Sequence, residues 1–385
     1  MTRFNYRPAG RISGSLNPQP VRRPDKDEYF LTGILGRYRP GEVDPMCVLE
    51  MLINHFNTQH TAFKKTVSFK TRRERAQFLR RFFRDLSAKA GFKTLPDPRN
   101  LAVRHIRAIV KVWQREKLAP ATVQTYLSFL RGLALWLGKA GLIQSPAYFG
   151  MKPSEYRRSE VAQSDKSWSA AGIDIDGLIE KVCAFDRYVG ASLKLIRHFG
   201  LRRKESIMFR PHRCVVPFEA TGLDPLERQA DEYISIKAGA KGGRQRFIPL
   251  NTLERKNALA YAQAVAGDAD AHMGQPGYSL LQNMYRFDYV MKKFGTTKRL
   301  SGVSVHGLRH EAMIEHYQQQ AGEPPPVRGG NPVSREKDIA ARLSASKLAG
   351  HNRMRAASAY LGKPVAIRRH AQKQPLAQCA DQNES

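Results

Sequence analysis

From Pro45 to about residue 148, apolar side chains recur every three to four positions with polar, mostly basic residues between them. Only packed amphipathic helices can use that period. In "TRRERAQFLRRFFRDL", Phe78, Leu79, Phe82, Phe83 and Leu86 form one apolar stripe, and Thr71 with Glu74 has the spacing of a capping box. "MCVLEMLINHF" and "RNLAVRHIRAIVKVWQREK" carry similar faces. In "ATVQTYLSFLRGLALWLGKAG", Val123, Tyr126, Leu127, Leu130, Leu133 and Leu137 share a face, and Gly141 offers a stop. Residues 45–148 therefore read as a helical domain.

A chain of 385 residues is long enough for two domains. Residues 1–44 are rich in Arg, Pro and Gly with little periodicity and read as a flexible basic arm. Residues 149–166 are polar and aperiodic, which suits a linker, and a second domain occupies 167–365. It opens with helices over 175–185 and 187–200. The period then breaks in "DEYISIKAGAKGGRQRFIPL", where Tyr233–Ile236 and Phe247–Leu250 alternate on either side of a Gly-rich turn, the signature of a β-hairpin. Helices are expected again over 251–265, 279–295, 307–320 and 336–362. The Pro/Gly-rich stretch 318–335 reads as a surface loop, and 366–385 as a polar tail. The fold class is mainly α with a small antiparallel sheet, an α+β chain.

The composition gives 64 Lys+Arg against 34 Asp+Glu, a formal net charge of +30. Solubility needs far less, and self-repulsion on this scale costs stability unless a polyanion offsets it, so nucleic acid is the expected partner. Lys64, Lys65, Lys70, Arg72 and Arg73, with few acidic neighbours, are candidate phosphate contacts, as are Arg203, Arg244 and Arg246 in the second domain. Arg80, Arg81 and Arg84 lie on the same polar side as the first group. No run of 18 apolar residues exists to span a membrane, and "MTRFNYRPAGRISGSLNPQP" lacks the apolar core of a signal peptide. Cys47, Cys183, Cys214 and Cys379 are scattered without CxxC spacing, which points to reduced thiols in a cytoplasmic, nucleoid-associated protein rather than to a zinc ribbon.

Four short stretches carry chemistry-bearing residues. "HFGLRRKESIMF" presents Arg202 and Arg203 after a glycine, with Glu205 behind. "GAKGGRQR" puts Lys241 at the hairpin tip. "VHGLRHEAM" holds His306, Arg309 and His310, and "SKLAGHNRMRAASAYLG" holds His351 with Tyr360 nine positions later. In this order they resemble the tyrosine recombinases, the phage-type integrases, closely over about residues 165–365 and more loosely over 45–148, the counterpart of that family's core-binding domain. The resemblance favours Arg202 over Arg203. It implies a catalytic set of Arg202, Lys241, His306, Arg309, His351 and Tyr360, with Glu205 and His310 supporting. Tyr360 would be the nucleophile, His306 the acid/base and Lys241 the general acid.

The residue types suit that chemistry without the name. Two arginines can grip the non-bridging oxygens of a phosphodiester, a phenol needs basic or cationic surroundings to become a nucleophile, and a lysine on a mobile hairpin suits protonation of a leaving oxygen. No carboxylate cluster suggests a two-metal site, so neither metal nor cofactor is expected. The resemblance implies a site-specific DNA recombinase that joins itself to a 3′-phosphate, integrating or excising a mobile element. It would act on duplex DNA with paired half-sites as a homotetramer, monomeric when free, with an accessory excision factor admitted. An inactive DNA-binding regulator and a topoisomerase-like relaxing enzyme are the alternatives. The distance from His310 to His351 is longer than in compact family members, and "NRMRAASAY" lacks their Thr-rich stretch.

Overall fold

The computed structural model describes residues 24–60, 66–351 and 353–363. Lys64, Lys65, the first 23 residues and the 366–385 tail lie outside them. The chain divides into two compact units, one ending at Arg158 and the other starting at Ser159. The architecture is mainly α with one three-stranded antiparallel sheet.

Unit 1 contains α1 (Pro24–Glu28), α2 (Pro45–Phe56), α3 (Phe69–Ala88), α4 (Val103–Arg115), α5 (Pro120–Trp136) and the short α6 (Pro153–Tyr156). Asp44 caps α2 by accepting from the amides of Met46 and Cys47, and Pro45 occupies the first turn, where its missing N–H costs nothing. Helix α3 begins earlier than the expected capping box. Ser68 is its N-cap and accepts from the Thr71 amide at 3.2 Å, so Thr71 already lies in the first turn. The stripe Phe78, Leu79, Phe82, Phe83 and Leu86 is buried against Ile106, Ile109, Val110 and Trp113 of α4 and Val123, Leu127, Leu130 and Leu133 of α5. Helix α5 stops at Trp136, ahead of Gly141, because Gly138 takes the left-handed conformation (φ 71°) that closes it.

Two boundaries differ from the sequence reading. Residues 24–37, assigned to the arm, are structured: Phe30 and Leu35 are buried, and Phe30 stacks on His55 with centroids 4.1 Å apart. Its apolar side chains find a seat on α2, which local periodicity does not reveal. The linker is narrower than 149–166, since Phe149 and Met151 are buried in unit 1 and Asp165 is bonded within unit 2.

Unit 2 contains α7 (Ile175–Phe185), α8 (Arg187–Phe199), α9 (Arg203–Met208), β1 (Val215–Pro217), β2 (Glu232–Ile236), β3 (Arg246–Pro249), α10 (Leu253–Ala266), α11 (Leu280–Lys293), α12 (Val305–Ala321), α13 (Arg335–Leu348) and α14 (Ser358–Leu361). The strands run in the order β1-β2-β3, with Val215 opposite Ile234 and Ile236 opposite Arg246. Strand β1, three residues long, is too short for its pattern to be read locally. The core of unit 2 joins Leu193, Ile196 and Phe199 of α8 to Leu308, Met313 and Ile314 of α12, with Ile234 and Ile248 from the sheet and Trp168. The single helix expected over 336–362 is broken: α13 ends at Leu348, Gly350 turns the chain at φ 70°, and Tyr360 rides on the separate α14. None of the described helices is long and apolar enough to cross a membrane.

Candidate active site

Five elements of unit 2 bring the predicted side chains together, and a buried carboxylate organises them. Helix α8 ends on Gly200 (φ 60°), which leaves Arg202 extended at the N-cap of α9. Glu205, one turn on, is 1 % exposed. It accepts from the Arg202 amide at 2.7 Å and from Arg202 Nη1 at 2.6 Å. Arg246 donates to the same carboxylate through Nη1 and Nη2 at 3.1 and 2.7 Å, while Arg309 Nη1 stands 3.8 Å away. Burial alone would raise the carboxyl's pKa, but the hydrogen bonds and charge of Arg246, with those of Arg202, hold it at about 2. Three guanidinium groups thus share one carboxylate, and the site keeps a positive excess.

The carbonyl of Ala349, at the C-terminal end of α13, is the second organising group. It accepts from Arg202 Nη2 at 3.2 Å and Arg309 Nη2 at 2.5 Å, where the helix dipole favours cations. The break at Gly350 is what frees it. A Cβ there would sit 3.1 Å from Arg246 Cδ and Nη1, on a backbone already in the left-handed region. His351 follows and lies with Nε2 3.4 Å from Arg202 Nη2. Its pKa is lowered to about 4 by burial and by the charges of Arg202, Arg309, Lys241 and Arg246, so the ring is neutral near pH 7. Lys241 is exposed on the turn Lys241–Gly243 between β2 and β3, close enough for its charge to act on His351.

Arg309 is fully buried. Besides Ala349 it donates from Nη1 to the Gly200 carbonyl and from Nε to the Tyr360 hydroxyl at 3.1 Å. The Tyr360 ring is buried but its oxygen rests on this cation. Its centroid is 4.8 Å from that of His310 and 6.1 Å from that of His306. His310 is buried, its pKa pushed down to about 4 by burial, with the charges of neighbouring groups acting too, and its Nδ1 has no hydrogen-bond partner among the described residues. The His306 pKa is likewise lowered to about 4, by burial first and then by the Arg309 and Arg202 charges, although part of its side chain is open to solvent.

His306 and Arg309 line a cleft of about 810 Å³ whose walls include Arg203, Lys292, Thr297, Lys298 and Arg299. Gly307 fits only as glycine, because a Cβ would lie 2.4 Å from the Lys166 carbonyl. Beneath, Glu311 accepts from the Ser169 amide at 2.9 Å and from Arg328 Nη2 at 2.7 Å, and Arg328 Nε reaches Asp165 at 2.8 Å. The Tyr360 helix is fastened on both sides: the Ala162 amide donates to the Ser358 carbonyl at 2.9 Å, and Arg342 Nη1 to the Gly362 carbonyl at 3.0 Å.

The proposed DNA-contacting set divides. Arg246 is not a surface contact: alternation along β3 turns it inward with Ile248, and Glu205 holds it. Arg203 faces the cleft but is paired with Asp288. Lys70 has Glu74 at 3.6 Å, and Arg72 Nε donates to the Val67 carbonyl at 3.2 Å. Arg73 and Arg244 are exposed. Sequence reasoning missed Lys298 and Arg299 on the cleft wall and the Glu311–Arg328–Asp165 network. Only Glu311, one residue beyond His310 in a recognisable box, carried a usable signal.

A family model described as "Integrase" matches residues 159–315, and one described as "Phage integrase, N-terminal" matches residues 54–143. In fold, the chain is similar to a lambda integrase tetramer bound to a Holliday junction, with TM-score 0.51 and 14% identity over 87% of this chain and 84% of that one. It is similar to a lambda integrase dimer bound to a COC′ core site at TM-score 0.50 and 14% identity, over 86% and 80% of the two chains. It is also similar to the Tn1549 transposon integrase in complex with transposon right end DNA, at TM-score 0.50 and 12% identity, over 84% and 96%. No curated protein sequence matches.

Proposed function

Since the chain belongs to the tyrosine recombinase, or phage-type integrase, family, we propose that it is a site-specific DNA recombinase that cuts duplex DNA through a covalent 3′-phosphotyrosine at Tyr360. The observation that carries this reading is the Tyr360 hydroxyl held 3.1 Å from Arg309 Nε, beside Arg202, His351 and the cleft.

The chemistry follows from charge. In-line attack on a phosphodiester builds negative charge on the non-bridging oxygens, and fixed cationic donors stabilise it without reorganising. Arg202 and Arg309 supply those donors, already aimed by Glu205 and by the Ala349 and Gly200 carbonyls. His351, neutral, donates a ring N–H to the same oxygens. Tyr360 Oη bonds to phosphorus, its proton passes to neutral His306, and the P–O5′ bond breaks as Lys241 gives a proton to the departing 5′ oxygen. The phosphodiester becomes a phosphotyrosyl ester and a free 5′-hydroxyl. Attack by another strand's 5′-hydroxyl reverses each transfer and rejoins the DNA.

On the same reading the protein works as a tetramer on paired half-sites and moves a mobile element, with an accessory excision factor setting direction. Incubation with a nicked duplex carrying the repeats that flank the gene in its genome, in EDTA, is expected to trap a protein–DNA adduct. Its loss in Tyr360→Phe with DNA binding retained supports the proposal, and an adduct that survives the substitution refutes it.

A further inference from the structure

One strongly charged face of unit 1 lies outside the residues considered so far. Helix α4 buries Ile106, Ile109, Val110 and Trp113 and exposes Arg104, Arg107, Lys111 and Arg115 on the opposite side. The spacing of three, four and four residues keeps all four on one stripe. At about 1.5 Å per residue the stripe is ~16 Å long, the axial length of roughly five phosphates of one DNA strand. Ala90, Gly91 and Ala108 form the low floor of a groove of about 820 Å³ that Lys89 and the stripe rim. Small residues there let a backbone come close to the charges. Exposed Tyr148 lies beneath Arg107, 5.7 Å from ring centroid to guanidinium carbon.

What marks this face is four cations aligned on one groove with little acidic compensation. Several surface cations elsewhere are paired, such as Arg80 with Glu50, Arg213 with Asp270, Arg228 with Asp231 and Lys347 with Glu227. Among the described residues Arg104, Arg107 and Lys111 have no ion-pair partner, and nearby Glu116 is engaged by Lys89 at 2.6 Å. Like charges so placed repel one another unless a polyanion separates them. The stripe adjoins the C-terminal end of α3, whereas Lys70–Arg73 occupy its N-terminal end, about 28 Å away along the axis.

We propose that the α4 face is a second surface for the phosphate backbone of duplex DNA, so that unit 1 engages DNA at both ends of α3. The inference rests on the recombinase reading. Because it involves phosphates rather than bases, it needs no particular sequence.

The test compares the full-length R104Q/R107Q/K111Q protein with R→Q-equivalent charge loss elsewhere, K181Q/K256Q/K337Q, on a long duplex of arbitrary sequence. Affinity is measured from about 50 to 200 mM salt. Each lost phosphate contact flattens the log–log slope by about 0.9, so the α4 variant should lose about 3 and the control far less. Equal slopes overturn the inference. So does an unchanged DNA slope accompanied by lost binding to polyglutamate, which would assign the face to an acidic protein. If the triple variant melts early, R104K/R107K, which keeps the charge, must retain the wild-type slope while the single R107Q flattens it by about 1. A wild-type protein with no salt-dependent duplex binding would sink the recombinase reading itself. A steep wild-type slope left intact in the α4 variant sinks only this inference.

Discussion

The two units use the same side chain in opposite ways. In unit 2 one group of arginines turns inward: Arg202, Arg246 and Arg309 surround Glu205, and Arg342 bonds Asp338 at 2.8 Å. In unit 1 the α4 cations turn outward, and Arg104, Arg107 and Lys111 have no ion-pair partner among the described residues. Burial of an arginine is not by itself the distinguishing mark. Arg75 of unit 1 is buried as deeply, donating to Asn57 Oδ1 at 2.8 Å and to the Asn57 and Gln59 carbonyls, with Trp136 beneath it. Burial lowers its pKa to about 10, and it touches no reactive group. Arg309 satisfies carbonyls too, yet one nitrogen is reserved for a phenol at a cleft. An inward arginine becomes a candidate for catalysis through the partner it leaves incomplete, and an outward one becomes a candidate for binding through the partner it lacks.

If that contrast is right, the largest effects fall in unit 2 and on chemistry alone. Arg309→Lys should slow strand cleavage by about 10²–10³-fold, the loss expected when a preorganised donor to developing charge is removed. DNA affinity, measured by gel shift, should change little. An equal fall in affinity would erase the distinction between the units.

Glu205→Gln probes the inward network through stability. Removing the charge of a buried, paired group costs about 3–5 kcal/mol, to be read from denaturant unfolding. The pH sign is fixed. With a folded pKa of about 2 against an ordinary 4.5, Glu205 stabilises the fold fully above 4.5, and that contribution fades as pH falls toward 2. It amounts to about 3 kcal/mol, and the variant should lack this acid sensitivity. A variant as stable as the parent would mean that the guanidinium cluster needs no counter-charge.

A smaller effect sharpens the role of the histidines. His310 and His351, both lowered to about 4, stay neutral where an unperturbed imidazole titrates near 6.5. Cleavage per bound complex should be flat from pH 8 to about 6 and decline toward 4, while native stability falls over the same window, because the unfolded chain takes up protons first. A midpoint near 6.5 would show that the pocket does not hold them neutral. Smallest, Arg328→Ala should reduce cleavage several-fold by loosening Glu311 beneath His310, without altering binding. A change in affinity instead would move Arg328 to the binding surface.

The legibility of these features follows their physics. Arg202, His306, Arg309, His351 and Tyr360 stand in short local boxes whose residue types and order along the chain mark them as candidates from the sequence. Arg246 reads from the sequence as a basic loop-tip contact because "GGRQR" is rich in glycine and charge, whereas alternation along β3 places it inward with Ile248. The break between α13 and α14 was missed because Gly350 follows a strong helical run, and its reason, an Ala349 carbonyl shared by two arginines beside Arg246, is wholly tertiary. Arg328 sits in a Pro/Gly-rich loop where no periodicity announces a buried ion pair. The arm residues 24–37 were invisible for a similar reason, since their partner is α2.

The central claim is that Tyr360 forms the covalent link to DNA. Protease digestion of the trapped adduct followed by mass spectrometry of the nucleotide-bearing peptide tests it most directly. The account predicts one modified residue, Tyr360, carrying a 3′-phosphate. A nucleotide found on any other side chain, or no covalent peptide despite strand cleavage, would contradict it.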